Sequence, residues 1–153
     1  MEEMDLLKKI FFLNGLTTGE LIKINILAQK ADFREGETIF REGDPGDALY
    51  IIKEGTVRIE KGSCHIDTLG PGEPIGEMAF IDKGPRSATL VAHSDVSLIR
   101  IPADQLEQVF EIDKNLAFKI HTAIIKNLAK RLREANEALK VVPDYLKGLT
   151  AED

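Results

Sequence analysis

The sequence predicts an α+β domain built on a double-stranded β-helix, or jelly roll, of about eight strands, with helices before it and a long helix after it. Three observations predict this. Nine of the twelve glycines fall between Gly36 and Gly84, separated by short apolar runs. Turn residues spaced in that way are what antiparallel β structure needs. The two flanks lack such punctuation and carry apolar residues at helical spacing. At 153 residues, 43% hydrophobic and 30% charged, the chain has the length and composition of one domain with a real core.

Taken in order, Leu6, Leu7, Ile10 and Phe11 predict a short helix that breaks at Asn14-Gly15. Thr18 precedes "GELIKINILAQKA", where Leu21, Ile24 and Leu27 make a second apolar face. The runs "ADF", "TIF" and "ALYIIKEG" then read as strands, divided by the turns "REGE" and "REGDPGD". Arg-Glu-Gly at 34–36 and 41–43 marks two similar turns without a longer repeat. "TVRIEKG" and "CHIDTLG" form a hairpin about Lys61-Gly62-Ser63, and "SATLVAH" and "VSLIRI" are the last strands. Pro102 suits a helix start. Asp113 suits the cap of a longer helix from Lys114, which Pro143 ends.

Along that helix His121, Ile125, Leu128, Leu132, Ala135, Leu139 and Val142 alternate spacings of four and three. The stripe is either the helix's own docking face or a heptad seam that meets a second copy. A rise of about 1.5 Å per residue carries the helix past a small β body, which favours a parallel homodimer. The expected layout is one domain over 1–142, with helices in 5–30, the β-roll in 31–101 and C-terminal helices in 102–142, then a short tail at 143–153.

Composition narrows the function. A formal charge of −6 argues against a general nucleic-acid partner, while leaving room for a small anion held by local arginines. No apolar run is long enough to span a bilayer, and the acidic start "MEEMDLLKK" lacks a signal core, so no membrane association and a cytoplasmic location are expected. The single cysteine, Cys64, reads as a buried or bystander thiol.

The informative stretch is "PIGEMAFIDKGPRSATL", from Pro74 to Leu90, which brings Glu77 and Arg86 to the two ends of one short turn. A buried phosphate diester needs a guanidinium fork, free backbone N–H groups and shielding from water. Gly76 permits close backbone approach. "GEMAFI", holding Met78 and Ala79, is long enough for one helical turn, and the N–H groups of Ser87 and Ala88 follow Arg86. A carboxylate would repel phosphate, so Glu77 needs a sugar hydroxyl as partner. A ribose carrying a cyclic phosphate supplies both groups. The plain alternative is a surface ion pair between Glu77 and Arg86 with glycines serving turns.

"GEMAFIDKGPRSAT" resembles the phosphate-binding cassette of cyclic-nucleotide-binding domains, of the catabolite activator protein and cAMP-dependent protein kinase regulatory subunit type. The upstream "FREGETIFREGDPGDALYIIKEGTVRI", with glycines at 36, 43, 46 and 55, is similar to the same family's strand–turn pattern. The resemblance covers roughly residues 5 to 142. It implies that Glu77 accepts the ribose 2′-OH, that Arg86 holds the cyclic phosphate, and that Gly76, Ser87 and Ala88 complete the anion shell. It places Ile59 and Ile66 against the base. Arg131 and Asn136 on the long helix are candidates to touch the base, the alternative being a solvated helix face. The implied ligand is cAMP, with cGMP second. The implied role is non-enzymatic. Because "PDYLKGLTAED" is too short for a DNA-binding domain, the chain is expected to be either a free-standing sensor acting on a downstream protein or a fragment of a larger protein.

Two rival classes fit the sequence less well. A metal-dependent enzyme of similar barrel shape needs clustered histidines, and His65, His93 and His121 are scattered; a haem sensor lacks an evident axial histidine. A degenerate domain that serves only for protein interaction commonly lacks the cassette arginine or glutamate, and both are present here.

Overall fold

The computed structural model describes Leu7, Leu13 and residues 15–139. Helix α1 (Thr18–Leu27) leads into eight strands: β1 (Gln29–Phe33), β2 (Thr38–Phe40), β3 (Ala48–Glu54), β4 (Val57–Lys61), β5 (Cys64–Leu69), β6 (Pro74–Ile75), β7 (Thr89–Ala92) and β8 (Val96–Pro102). A short helix α2 (Glu77–Asp82) interrupts the strands between β6 and β7. Helices α3 (Ala103–Ile112) and α4 (Lys114–Leu139) follow. The strands form two four-stranded antiparallel sheets, ordered β1-β8-β3-β6 and β2-β7-β4-β5. This is the jelly roll read from the glycine pattern.

Strand β3 shows why the core divides in two. Its first five residues, "ALYII", are all buried, so both of its faces are covered. Ala48, Tyr50 and Ile52 point into the roll with Val57, Ile75, Leu90 and Leu98. Leu49 and Ile51 point the other way, to Leu21, Ile24, Leu106, Phe110, Leu116, Ile120 and Ile124 of the helices. Period-two alternation on one strand thus joins the inside of the roll to the helical layer.

The helix boundaries follow from local hydrogen bonds. The cap of α1 is Thr17, because Thr17 and Glu20 form a reciprocal capping box. Strand β1 already begins at Gln29 and β8 runs to Pro102, so the roll spans 29–102 and the first helical region stops short of 30. Asp113 caps α4 as expected: its Oδ1 accepts from the Leu116 N–H at 3.0 Å, while Oδ2 takes Lys23 Nζ at 2.7 Å.

Leu116, Ile120, Ile124 and Asn127 form the buried stripe of α4. The predicted seam lies partly elsewhere. His121 is exposed but rests its ring against the domain, with its centroid 5.0 Å from Phe110 and 6.2 Å from Phe80, and Leu128 packs against the core. Ile125, Leu132 and Leu139 stand exposed, and Ala135 does too. Val142, Pro143 and the first apolar run, except Leu7, lie outside the described residues. No helix among the described residues is long and apolar enough to cross a membrane.

Candidate functional site

The two Arg-Glu-Gly turns are alike in detail. In each, the arginine C=O accepts from the residue three further on (Glu37 or Asp44), whose carboxylate accepts from the arginine N–H. The second turn also docks the cassette. Gly43 N donates to the Arg86 C=O, and the Arg86 N–H donates to the Asp44 C=O, both at 2.8 Å. Pro45 and Pro85 bridge beside them. Arg86 is therefore held by its backbone before its side chain does anything.

Arg86 is 3% exposed. Nη2 donates to the Ala48 C=O at 2.8 Å and reaches Asp47 Oδ1 at 3.5 Å, and Nη1 donates to the Gly76 C=O at 3.3 Å. The buried Nε–H has no partner. Gly76 sits at φ +81°, and a Cβ there would strike the Arg86 guanidinium. Glycine is needed at 76 for its backbone conformation and to leave room for the arginine. Burial pulls the Arg86 pKa below the ordinary arginine value, with Tyr50 and Asp47 acting the other way.

Glu77 is the first residue of α2 and is 2% exposed. It does not pair with Arg86. Its Oε1 accepts from Arg131 Nη1 of α4 at 2.7 Å. The surface-bridge alternative is thereby overturned: both groups are buried and each has partners of its own. Burial pushes the Glu77 carboxyl above the ordinary glutamate range; its own backbone N–H and Arg131 pull against that.

These groups share one cavity of about 80 Å³. Gly76, Glu77, Met78, Ala79, Arg86, Ser87, Ala88, Ile59 and Arg131, nine of the residues expected at the site, line it. A larger groove of about 810 Å³ behind the cassette, beside Arg100 and Lys83, contains neither Arg86 nor Glu77. The buried Arg86 and Glu77 side chains both line the smaller cavity.

Two expected residues stand apart. Ile66 is 56% exposed on the edge strand β5 and does not line the cavity. The pairing slips there, from Ile59↔Asp67 to Glu60↔His65, which leaves Ile66 as the extra residue of a bulge. Asn136 is exposed on α4 and also outside the cavity. Five residues beyond Arg131, it lies about 140° further round a helix of 3.6 residues per turn. Cys64 is exposed rather than buried. Among the described residues, no group of three or more His, Cys, Asp or Glu is placed to hold a metal ion.

Sequence reasoning missed Phe40, Tyr50 and Asp47. Phe40 lies under the guanidinium and Tyr50 beside it, with ring centroids 4.2 and 5.7 Å from Arg86 Cζ. Asp47 is shared, through Oδ1 with Arg86 and through Oδ2 with Arg100 at 3.3 Å. The signal available was the polar "GDPGD" turn ahead of a buried strand, which reads equally well as a turn alone.

An eight-stranded roll with helices on one side, and with a buried arginine and a buried glutamate lining one cavity, has the arrangement of a ligand-binding domain. The chain belongs to the cyclic nucleotide-binding domain family, whose pattern it matches over residues 30–113. It is 34% identical over 134 residues to the cyclic AMP receptor protein of Thermus thermophilus, covering 84% of this chain and 60% of that protein. It is 29% identical over 140 residues to a CRP-like cAMP-activated global transcriptional regulator of Mycobacterium tuberculosis, covering 88% of this chain and 61% of that one. The chain thus spans about three fifths of these relatives' length. A solved cyclic nucleotide-binding domain from Methylobacillus flagellatus superposes with a TM-score of 0.83 at 27% identity, over 94% of this chain and 86% of that one.

Proposed function

We propose that the cavity binds a 3′,5′-cyclic purine ribonucleotide, cAMP in preference to cGMP, and that the protein acts as a sensor and not as a catalyst. The observation that carries this reading is the buried Arg86 with an unpartnered Nε–H, lining the same cavity as the buried Glu77 carboxylate. In this reading Arg86 holds the cyclic phosphate, assisted by the Gly76 and Ala88 backbone and by Ser87. Glu77 accepts the ribose 2′-OH. Ile59 and Arg131 border the base and sugar. The exposed part of the α4 seam supports a homodimer. The preference for cAMP rests on Ser87, where cGMP-selective relatives often carry threonine.

Calorimetric titration with cAMP and cGMP is the direct test. Saturable binding with cAMP the tighter ligand is expected, and equal or tighter cGMP binding would overturn the preference alone. No binding of either nucleotide would leave a protein-interaction module as the reading.

Glu77→Ala probes the ribose contact. A hydrogen bond to a charged acceptor is typically worth about 1.5–3 kcal/mol. Here the loss is offset in part, because a negative charge near the phosphate disappears as well. Weaker cAMP binding is expected, with a smaller gap between cAMP and its 2′-deoxy analogue. An unchanged gap would remove Glu77 from the ribose.

Acidity supplies a second check on the same group. The folded-state pKa of Glu77 is raised, so the cost of ionising it in place is present above that pKa and is relieved as pH falls through it. The ionised acceptor is lost over the same window, which opens at a higher pH than for an ordinary glutamate. The affinity for cAMP is expected to fall with acidification there in the wild type and to stay flat in Glu77→Gln. Parallel curves for the two proteins would contradict the assignment.

A further inference from the structure

The way Arg86 is held raises a question that the ligand reading leaves open. A buried arginine is ordinarily neutralised by a close carboxylate. Among the described residues the carboxylate that reaches it is Asp47, at 3.5 Å, with a side chain 65% exposed and shared with Arg100. The remaining bonds go to the neutral carbonyls of Ala48 and Gly76. What covers the guanidinium instead is Phe40, whose ring centroid lies 4.2 Å from Cζ.

We infer that Phe40 is a positioning residue for the anion site: its ring face carries the buried Arg86 cation without neutralising it, which keeps the guanidinium charged and aimed for a phosphate. This rests on the cyclic-nucleotide reading of the cavity. Three features support it. An aromatic face attracts a cation through its quadrupole, and more strongly where water is excluded. Phe40 itself lines the cavity, so its ring bounds the space a ligand enters. The ring is fixed from two sides, by pairing of Phe40 with Leu90 across β2 and β7 and by Tyr50, whose ring centroid is 6.1 Å away. A tight carboxylate partner would compete with the incoming phosphate for the fork, whereas a ring face occupies none of its N–H donors.

The test compares F40L, which keeps apolar bulk but removes the π face, with F40Y, which keeps the face. F40L is expected to weaken cAMP binding roughly five- to thirty-fold, the range of a desolvated cation–π contact. F40Y should remain within about threefold of wild type. In an R86A background F40L should cost less than about twofold, because the two residues act as one unit. Equal losses in F40L and F40Y, or a full F40L loss without Arg86, would reduce Phe40 to packing and overturn the proposal.

A ligand-free readout separates this from the functional reading. The Arg86 Nε–Hε proton NMR resonance should lie upfield of its ordinary position through the Phe40 ring current and should return towards it in F40L. An unshifted wild-type resonance refutes the stacking, even if F40L proves too unstable to titrate. A wild-type protein that shows the shift yet binds no cyclic nucleotide would instead refute the function proposed above.

Discussion

Arg86→Ala is expected to raise the dissociation constant for cAMP by roughly thirty-fold to several thousand-fold. Truncating one partner of a desolvated charge pair costs about 2–5 kcal/mol, and about 1.4 kcal/mol corresponds to a decade. The structure argues for the upper part of that range. Arg86 is 3% exposed, so the phosphate would lose its countercharge in a site shielded from bulk water. Arg86→Lys should recover only part of the loss, since an ammonium restores charge without the two-pronged geometry. Arg86→Ala also removes the side-chain donor to the Ala48 and Gly76 carbonyls, of which Gly76 keeps the Phe80 N–H. Melting temperature must therefore be followed alongside calorimetry, to separate loss of ligand from loss of fold. A well-folded Arg86→Ala protein that binds cAMP within about threefold of wild type would end the phosphate assignment.

Much of the fold was legible because its signals are local. The run "ALYII" announces a strand covered on both faces, and Asp113 announces a helix start through a bond to a residue three positions on. The cassette is equally local: Gly76, Glu77 and Arg86 fall within eleven residues and meet in one cavity. What sequence could not give depends on register and on distance along the chain. Ile66 left the expected face because a single-residue bulge on β5 shifts the pairing. Arg131 could be placed near the cavity, but its bond to Glu77 joins residues 54 apart, and no periodicity encodes that. Phe40 and Asp47 reach Arg86 from β2 and from the turn before β3, which only the closed roll brings together.

The long helix carries two stripes, and separating them changes how its partner surface should be tested. Leu116, Ile120, Ile124 and Asn127 dock on the domain, and Leu128 packs against the same core. Phe118, Ile125, Leu132 and Leu139 recur every seven residues and are 72%, 60%, 62% and 63% exposed. A strict heptad of large apolar residues facing water is the pattern of a helix–helix interface. Aspartate at Leu128 would damage the domain core and the proposed interface together, so its effect would be ambiguous. Leu132 and Leu139 lie clear of that core, and burying each should contribute roughly 1.5–3 kcal/mol to association. The wild type is expected to be a dimer in light scattering. Leu132→Asp with Leu139→Asp should be a monomer with an unchanged melting profile at low protein concentration, where the wild type has also dissociated. A wild type that stays monomeric at high concentration, or a double variant that stays dimeric, would move the interface off this stripe.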